Sequence, residues 1–155
     1  MKKMFLLGLF LTVLLGLSSC SKDDDKVPQN NNELIVGNWK VMVLDTHVYQ
    51  NNTLITENIG YQAHEHADML LNFKADKTMT YYLKNLDDSN AEVINQTGVY
   101  SINGNILTFT LNNETKVVKI NNISNSNMKV QYGPEEFEEN GEKYTRTTYF
   151  YLNRQ

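Results

Sequence analysis

The chain has 155 residues, of which 41% are hydrophobic, 10% aromatic and 21% charged. This length and composition suit one compact domain and argue against disorder along most of the chain and against a second full domain. Acidic residues outnumber basic ones by 18 to 14, so the net charge is −4 and a basic surface for nucleic-acid binding is excluded as the default.

The first 19 residues have the layout of a secretory signal peptide. Lys2 and Lys3 precede an apolar run from Met4 to Leu17, and small residues follow it. The run is too short for a transmembrane helix, which needs about 20 apolar residues. Without residues 1–19, the remaining 136 residues contain 12 basic and 18 acidic side chains, a net charge of about −6. A chain of that size buries one modest core.

The apolar run ends in Leu17-Ser18-Ser19-Cys20, which resembles the lipobox of bacterial lipoproteins. The resemblance implies cleavage before Cys20, a diacyl group on its sulfur and a further acyl group on the new amino terminus. Several acyl chains on one residue give a stable anchor, because each buried CH₂ contributes about 0.8 kcal/mol. Cys20 is the only cysteine of the chain, and the alternative is an ordinary signal peptide followed by a chance cysteine.

A short charged run follows the cysteine almost directly. It consists of Lys22, Asp23, Asp24 and Asp25. The run resembles the surface-export signal of Bacteroidetes-type lipoproteins, which implies a position on the outer face of the outer membrane, and a solvated spacer is the alternative. Residues 20–33, with Pro28 and three consecutive Asn, have little to bury and are predicted to form a flexible tether. The folded domain is predicted to span residues 34–155.

From residue 34 onward the apolar period is two rather than 3.6. Leu107, Phe109 and Leu111 alternate with threonines, for example, which predicts a strand with one apolar face. Turn signals rich in Asn and Gly separate such runs, which is the spacing of antiparallel hairpins. The predicted strands span residues 38–50, 54–61, 68–74, 78–84, 93–102, 105–111, 115–121, 127–132 and 144–152. Longer loops are predicted at 85–92 and 133–143.

The predicted fold is all-β, an antiparallel up-and-down meander of about eight strands. Nearly every connection is short, so sequential strands are expected to pair. Such a meander either closes into a barrel or leaves two unpaired edges, and closure removes the edges. A β-sandwich is the structural alternative, but it needs long crossovers that this sequence does not obviously supply.

The start of the domain resembles the lipocalin family, because Gly37-Asn38-Trp39 carries the Gly-x-Trp of the first lipocalin strand. Segments within 71–78, 98–109 and 118–130 are similar to later strands and turns of bacterial lipocalin-like lipoproteins. The resemblance covers roughly residues 34–155 and implies a lipocalin-like barrel. The chain departs from the animal lipocalins in having no disulfide, no C-terminal helix and no Thr-Asp-Tyr turn, so the type of ligand is not carried over.

The resemblance also implies how one end of the barrel is closed. In lipocalins the Trp of the motif lies at the closed end, where an Arg of the last strand often packs across it as a cation–π contact. Arg146 and Arg154 are both candidates here. Arg154 is preferred, because it continues the two-residue period of Phe150 and Leu152. The expected signature of this end is therefore Gly37, Trp39 and Arg154.

Few residues suggest metal binding or catalysis. His64, His66 and Asp68 would project from one face about 6.6 Å apart in an extended segment, with His47 as a further ligand candidate. Exposed polar residues are common at a strand entry, so no metal and no cofactor are expected. The sequence has no nucleophile elbow and no phosphate-binding Gly-rich loop, so the protein is predicted not to be an enzyme. The acidic residues within 135–139 indicate a solvated loop or, alternatively, a patch for a cationic partner.

The barrel interior remains as the candidate site, since an eight-stranded barrel is either filled by side chains or holds one small ligand. Besides Trp39, the predicted inward residues, which would line a cavity, are Val41, Val43, Leu71, Phe73, Leu107, Phe109, Leu111, Val130, Tyr132, Phe150 and Leu152. One hypothesis is a lipid-anchored monomer that binds a small apolar or amphipathic molecule at the cell surface. The other is a solid barrel whose loops bind a protein or a glycan.

Overall fold

The computed structural model describes residues 30–155, so the signal peptide, Cys20 and the acidic run of Lys22 to Asp25 lie outside the described residues. In the part of the chain that is described, no helix is long and apolar enough to cross a membrane. Two helices of four residues are present, Asn31–Leu34 (α1) and Ala63–His66 (α2). The strands are Gly37–Gln50 (β1), Thr53–Tyr61 (β2), Ala67–Phe73 (β3), Thr78–Asn85 (β4), Ile94–Asn103 (β5), Ile106–Leu111 (β6), Glu114–Ile123 (β7), Asn127–Glu139 (β8) and Glu142–Arg154 (β9).

The strands form one antiparallel sheet that closes on itself, which confirms the predicted barrel and excludes the sandwich. Their order is β2-β1-β3-β4-β5-β6-β7-β8-β9, and β1 also pairs with β9. The lower part of β1 pairs with β3, and its upper part, from Leu44 onward, pairs with β2. Eight strands, β1 and β3 to β9, therefore close the barrel, and β2 pairs with the upper part of β1 on the edge where β3 pairs with its lower part.

The wall of the barrel is continuous at one end and divided at the other. The β1–β3 pairing ends at Lys40 and Leu70, and the β7–β8 pairing ends at Val118 and Tyr132. Beyond these pairs, toward the open end, β3 is paired with β4 but not with β1, and β7 is paired with β6 but not with β8. In the same region β8, β9, β1 and β2 are paired with one another in that order. Two seams thus separate a β3–β7 panel from a β8–β9–β1–β2 panel in the open half of the barrel.

Asn-rich turns explain where several hairpins reverse. Asn51-Asn52 has φ of 49° and 63°, Asn112-Asn113 has 48° and 66°, and Asn140-Gly141 has 53° and 82°. Two successive residues with positive φ are what a type I′ hairpin turn needs, and Asn and Gly tolerate that conformation best. The turn signals in the sequence therefore mark real hairpins.

The predicted loop at 133–143 is wrong, because β8 continues to Glu139 and β9 begins at Glu142. The register shifts between Tyr132 and Glu135, so a bulge takes up Gly133 and Pro134, and strand pairing resumes beyond it. Gly133 has φ +96°, and a Cβ there would lie 2.5 Å from the Arg146 carbonyl oxygen, so the close approach of β9 requires glycine.

Cross-strand pairs hold the upper part of this hairpin together in spite of its acidic residues. Arg146 lies opposite Glu135 and forms an ion pair with it. Phe137 stacks on Tyr144 with ring centres 5.4 Å apart. Such cross-strand pairs stabilise the β8–β9 hairpin and offset the repulsion among its like charges. The acidic residues within 135–139 therefore lie on a strand and not in a solvated loop. The predicted loop at 85–92 does lie between β4 and β5.

A bulge in β1 changes which residues face the interior. Val41 pairs with Leu152, but Val43 pairs with Tyr151, so the register shifts by one residue between them. Because successive side chains of a strand point to opposite faces, the extra residue turns Val43 to the outside and places Leu44 opposite Phe150 on the inner side. Val43 therefore does not line the interior as predicted.

The folded domain begins earlier than the predicted boundary at residue 34. The Asn30 side chain accepts a hydrogen bond from the Asn32 N–H at 3.1 Å and caps α1, a role for which Asn is well suited. Asn31 donates to the Gly104 carbonyl at 3.0 Å, and Lys77 donates to the Asn32 side chain at 2.9 Å. Residues 31–33, predicted as part of the tether, are thus packed on the turns at one end of the barrel.

Candidate functional site

Trp39 and Arg154 seal the end of the barrel that α1 covers. The Trp39 side chain is fully buried, and its Nε1 donates to the Ile35 carbonyl at 2.7 Å. The guanidinium carbon of Arg154 lies 4.5 Å from the centre of the Trp39 ring. Arg154 also donates to the Val36 carbonyl at 2.6 Å and to the Leu34 carbonyl. The Leu34 carbonyl at the end of α1 and the Ile35 and Val36 carbonyls just beyond it, which have no partner inside the helix, are satisfied in this way.

Gly37 makes room for this arrangement. Its φ is +140°, and a side chain at this position would collide with the Arg154 guanidinium. The Gly-x-Trp motif therefore has a physical basis here, since the glycine admits the arginine that covers the tryptophan. Arg146, the other candidate, lies toward the opposite end, where it pairs with Glu135.

Above this sealed layer the barrel contains a cavity of about 650 Å³. Of the eleven residues predicted to line it, ten are on its wall, and Val43 is the exception. Most of the wall is apolar, and its deep part is continuous with the buried core around Val41, Phe73 and Leu152. The barrel is therefore not solid, and its interior has room for a small molecule.

The sequence prediction missed about half of the cavity wall. The additional lining residues are Met69, Tyr81, Gln96, Asn112, Glu114, Lys116, Val118, Met128, Glu135 and Arg146. Met69 and Met128 each lie two residues from a predicted lining residue, Leu71 and Val130, so strand alternation is a signal that finds them. Val118 lies on the predicted strand 115–121, for which no inward residue is predicted. An inward set defined by apolar side chains leaves out the polar residues.

Four charged side chains surround the mouth of the cavity. Arg146 donates to Glu135 at 2.6 Å, and Lys116 lies 3.7 Å from Glu114. The hydrogen bond from Arg146 lowers the pKa of Glu135, and the positive charges of Arg146 and Lys116 act in the same direction against partial burial. The mouth thus carries two positive and two negative charges with no net excess of either sign.

The predicted metal candidates do not converge. His64 and His66 lie on α2 and not on an extended segment, so side chains two residues apart point in different directions. His64 Nδ1 is 3.0 Å from the Met42 carbonyl, His66 Nδ1 is 2.8 Å from Asp87, and Asp68 accepts from Lys40 at 2.6 Å.

His47, the fourth candidate, lies on β1 with its Nδ1 3.6 Å from Glu57 of β2. In residues 30–155, no group of three or more His, Cys, Asp or Glu side chains is arranged to hold a metal ion.

A closed antiparallel barrel of eight strands with one sealed end belongs to the class of up-and-down β-barrels. Residues 35–130 match the family described as the lipocalin-like domain, and the chain belongs to this family. The family membership predicted from Gly37 and Trp39 is thereby confirmed. No curated protein sequence matches this chain.

Several solved structures are similar to this one. A lipocalin-like protein from Bacteroides uniformis has a TM-score of 0.46 and 13% identity, over 79% of this chain and 99% of its own. An uncharacterised protein from Bacteroides eggerthii has a TM-score of 0.46 and 10% identity, over 78% and 99%. Bovine odorant binding protein, solved with a selenium-containing odorant, has a TM-score of 0.42 and 14% identity, over 82% and 74%.

Proposed function

We propose that this protein is a non-catalytic carrier that binds a small apolar or amphipathic molecule inside its barrel. The observation that carries the proposal is the cavity of about 650 Å³, which lies within the range of about 300–1,000 Å³ typical of small-molecule sites. An apolar wall below a polar mouth suits a ligand that buries its apolar body and keeps a polar group near solvent. The cavity favours this proposal over the alternative of a solid barrel whose loops bind a protein or a glycan.

Binding can be tested with 1-aminoanthracene, a neutral apolar fluorophore whose emission rises in apolar surroundings. Leu111 lines the cavity, whereas Val117 lies on the outer surface with 53% of its area exposed. We expect Leu111→Trp to fill part of the cavity and weaken probe binding by about tenfold or more, and Val117→Trp to bind like the wild type. Thermal unfolding of both variants checks that each is folded. Absence of probe binding to the wild type, or equal binding by both variants, would contradict the proposal.

We further propose that the carrier is attached to the outer membrane through lipid on Cys20, with acyl chains as its contact with the bilayer. Cys20→Ala should abolish the incorporation of labelled palmitate and leave the precursor unprocessed or release a soluble form. Cys20 lies where the lipobox resemblance requires it. A wild-type chain that incorporates no labelled fatty acid would overturn this part of the proposal.

The charged run of Lys22, Asp23, Asp24 and Asp25 supports a position of the protein on the outside of the cell. Replacement of Asp23, Asp24 and Asp25 by Ala should leave the protein acylated but protected from protease added to intact cells. The matched control replaces the same three residues by Glu, which keeps the negative charge, and should remain accessible. Equal protease access in the Ala and Glu variants would show that the run is only a spacer.

A further inference from the structure

Two polar side chains lie side by side on the apolar wall of the cavity. Tyr81 of β4 and Gln96 of β5 are directly paired across the two strands, and both line the cavity. The β3 residue opposite Tyr81 is Leu71, which lines the cavity as well. A hydroxyl and an amide therefore face the cavity side by side, next to the apolar side chain of Leu71.

Within residues 30–155, neither side chain has a protein hydrogen-bond partner, whereas other tyrosines of the barrel do. The Tyr100 hydroxyl donates to the Lys74 carbonyl at 2.7 Å, and the Tyr151 hydroxyl donates to Asp45 at 2.6 Å. Burial raises the pKa of the Tyr81 phenol, so its hydroxyl remains protonated and able to donate at neutral pH. Both side chains are half-buried on the cavity wall, so a ligand that enters the cavity can supply the hydrogen-bond partner that the described residues do not.

The charges at the mouth bear on which partner fits. The Arg146 guanidinium already forms an ion pair with Glu135, and the Lys116 ammonium lies beside Glu114. A ligand carboxylate would have to displace Glu135 from Arg146 or share Lys116 with Glu114, with repulsion from both acids. An uncharged oxygen meets no such competition, and it loses less hydration than an ion does when it enters an apolar cavity.

We propose that Tyr81 and Gln96 form a hydrogen-bonding subsite for an uncharged carbonyl oxygen, so that the barrel selects neutral ketone or ester lipids over fatty-acid anions. The Tyr81 hydroxyl and the Gln96 amide N–H both donate to that oxygen, and the apolar wall covers the hydrocarbon part. This inference rests on the proposed carrier function and specifies the chemical class of its ligand.

The test measures how well two ligands of equal chain length, 2-tridecanone and tridecanoate, displace 1-aminoanthracene. We expect the wild type to bind the ketone more tightly than the anion. Tyr81→Phe removes one hydroxyl from the cavity and should weaken ketone binding about three- to tenfold, the effect of one hydrogen bond, with little change for tridecanoate. Tyr82→Phe is the matched control, because the adjacent Tyr82 points to the outer face of β4; it should bind both ligands like the wild type.

The outcomes separate the subsite from the carrier function. If 1-aminoanthracene does not bind the wild type, the carrier function fails. If the probe binds but the wild type prefers tridecanoate, or Tyr81→Phe weakens ketone binding no more than Tyr82→Phe does, the carrier function stands and the subsite is overturned. The dissociation constant of the probe is measured for each variant, so that a change in probe binding is not mistaken for a change in ligand binding.

Discussion

The two ends of the barrel are built in opposite ways. At the sealed end Trp39 and Leu152 are no more than 1% exposed, and Arg154 is fixed by backbone carbonyls as well as by the indole ring. At the open end the side chains of Glu135 and Arg146 are 37% and 47% exposed and are held by each other across the β8–β9 pair. The contrast teaches that stability is concentrated at one end, whereas the other end carries the exposed charges that surround the mouth of the cavity.

The largest loss of folding stability is expected at the sealed end, from Trp39→Ala. Loss of a fully buried indole leaves a cavity and should lower the free energy of unfolding by about 3–5 kcal/mol. That is a large share of the roughly 5–15 kcal/mol of an ordinary domain. Denaturant unfolding of the mature, unacylated chain measures the change. A change near zero would mean that the sealed end is not where stability is concentrated.

A smaller loss, about 1–3 kcal/mol, is expected for Arg154→Ala, which removes the cation–π contact and the hydrogen bonds to the Leu34 and Val36 carbonyls. Because Arg154 and Trp39 are in contact, their effects should be coupled by about 0.5–3 kcal/mol in a double-mutant cycle. Arg146→Ala is the control, since Arg146 lies at the open end, and its effect should add to that of Trp39→Ala. Additive effects for Arg154 would show that it does not act through Trp39.

The smallest loss of folding stability is expected at the open end, from Glu135→Gln. The hydrogen bond from Arg146 lowers the pKa of Glu135 below its ordinary value of 4.5, so the pair stabilises the fold above that pH and loses its effect as the pH falls through the lowered pKa. Both partners are more than one-third exposed, so the loss at pH 7 should be at most about 1 kcal/mol.

The check compares the unfolding free energies of the wild type and the Glu135→Gln variant at pH 7 and pH 3. The difference should shrink toward zero at the lower pH. Glu136→Gln is the control, because Glu136 is exposed on the same strand and forms no ion pair with another described residue. A difference that grows on acidification would reverse the assigned sign.

The contrast between the ends also explains how far the sequence could predict the structure. The sealed end follows from local patterns, because Gly37 and Trp39 are neighbours in sequence and Arg154 continues the alternation of the last strand. The structure of the open end depends on how far β8 and β9 remain paired. Sequence alone favours a loop there, because Pro134 followed by the acidic residues within 135–139 is typical of one. Pairing continues there because Arg146 and Tyr144 lie opposite Glu135 and Phe137, which a single strand does not reveal.

Two further misses have local causes. A one-residue bulge leaves no mark in an apolar pattern such as Val41-Met42-Val43, so the outward turn of Val43 could not be predicted. Tyr81 and Gln96 alternate correctly with their neighbours, but an inward set defined by apolar character leaves them out. The polar part of the cavity wall, on which the proposed ligand preference rests, is therefore the part that hydrophobic patterning is least able to detect.

The two seams change what joins the panels in the open half of the barrel. The β3–β7 panel and the β8–β9–β1–β2 panel share no ladder pairs above Lys40–Leu70 and Val118–Tyr132. At the first seam the Lys40 ammonium lies 2.6 Å from Asp68, and His64 of α2 lies 3.0 Å from the Met42 carbonyl. Cohesion between the panels at this seam therefore comes from side chains, which single substitutions can remove, and not from a backbone ladder.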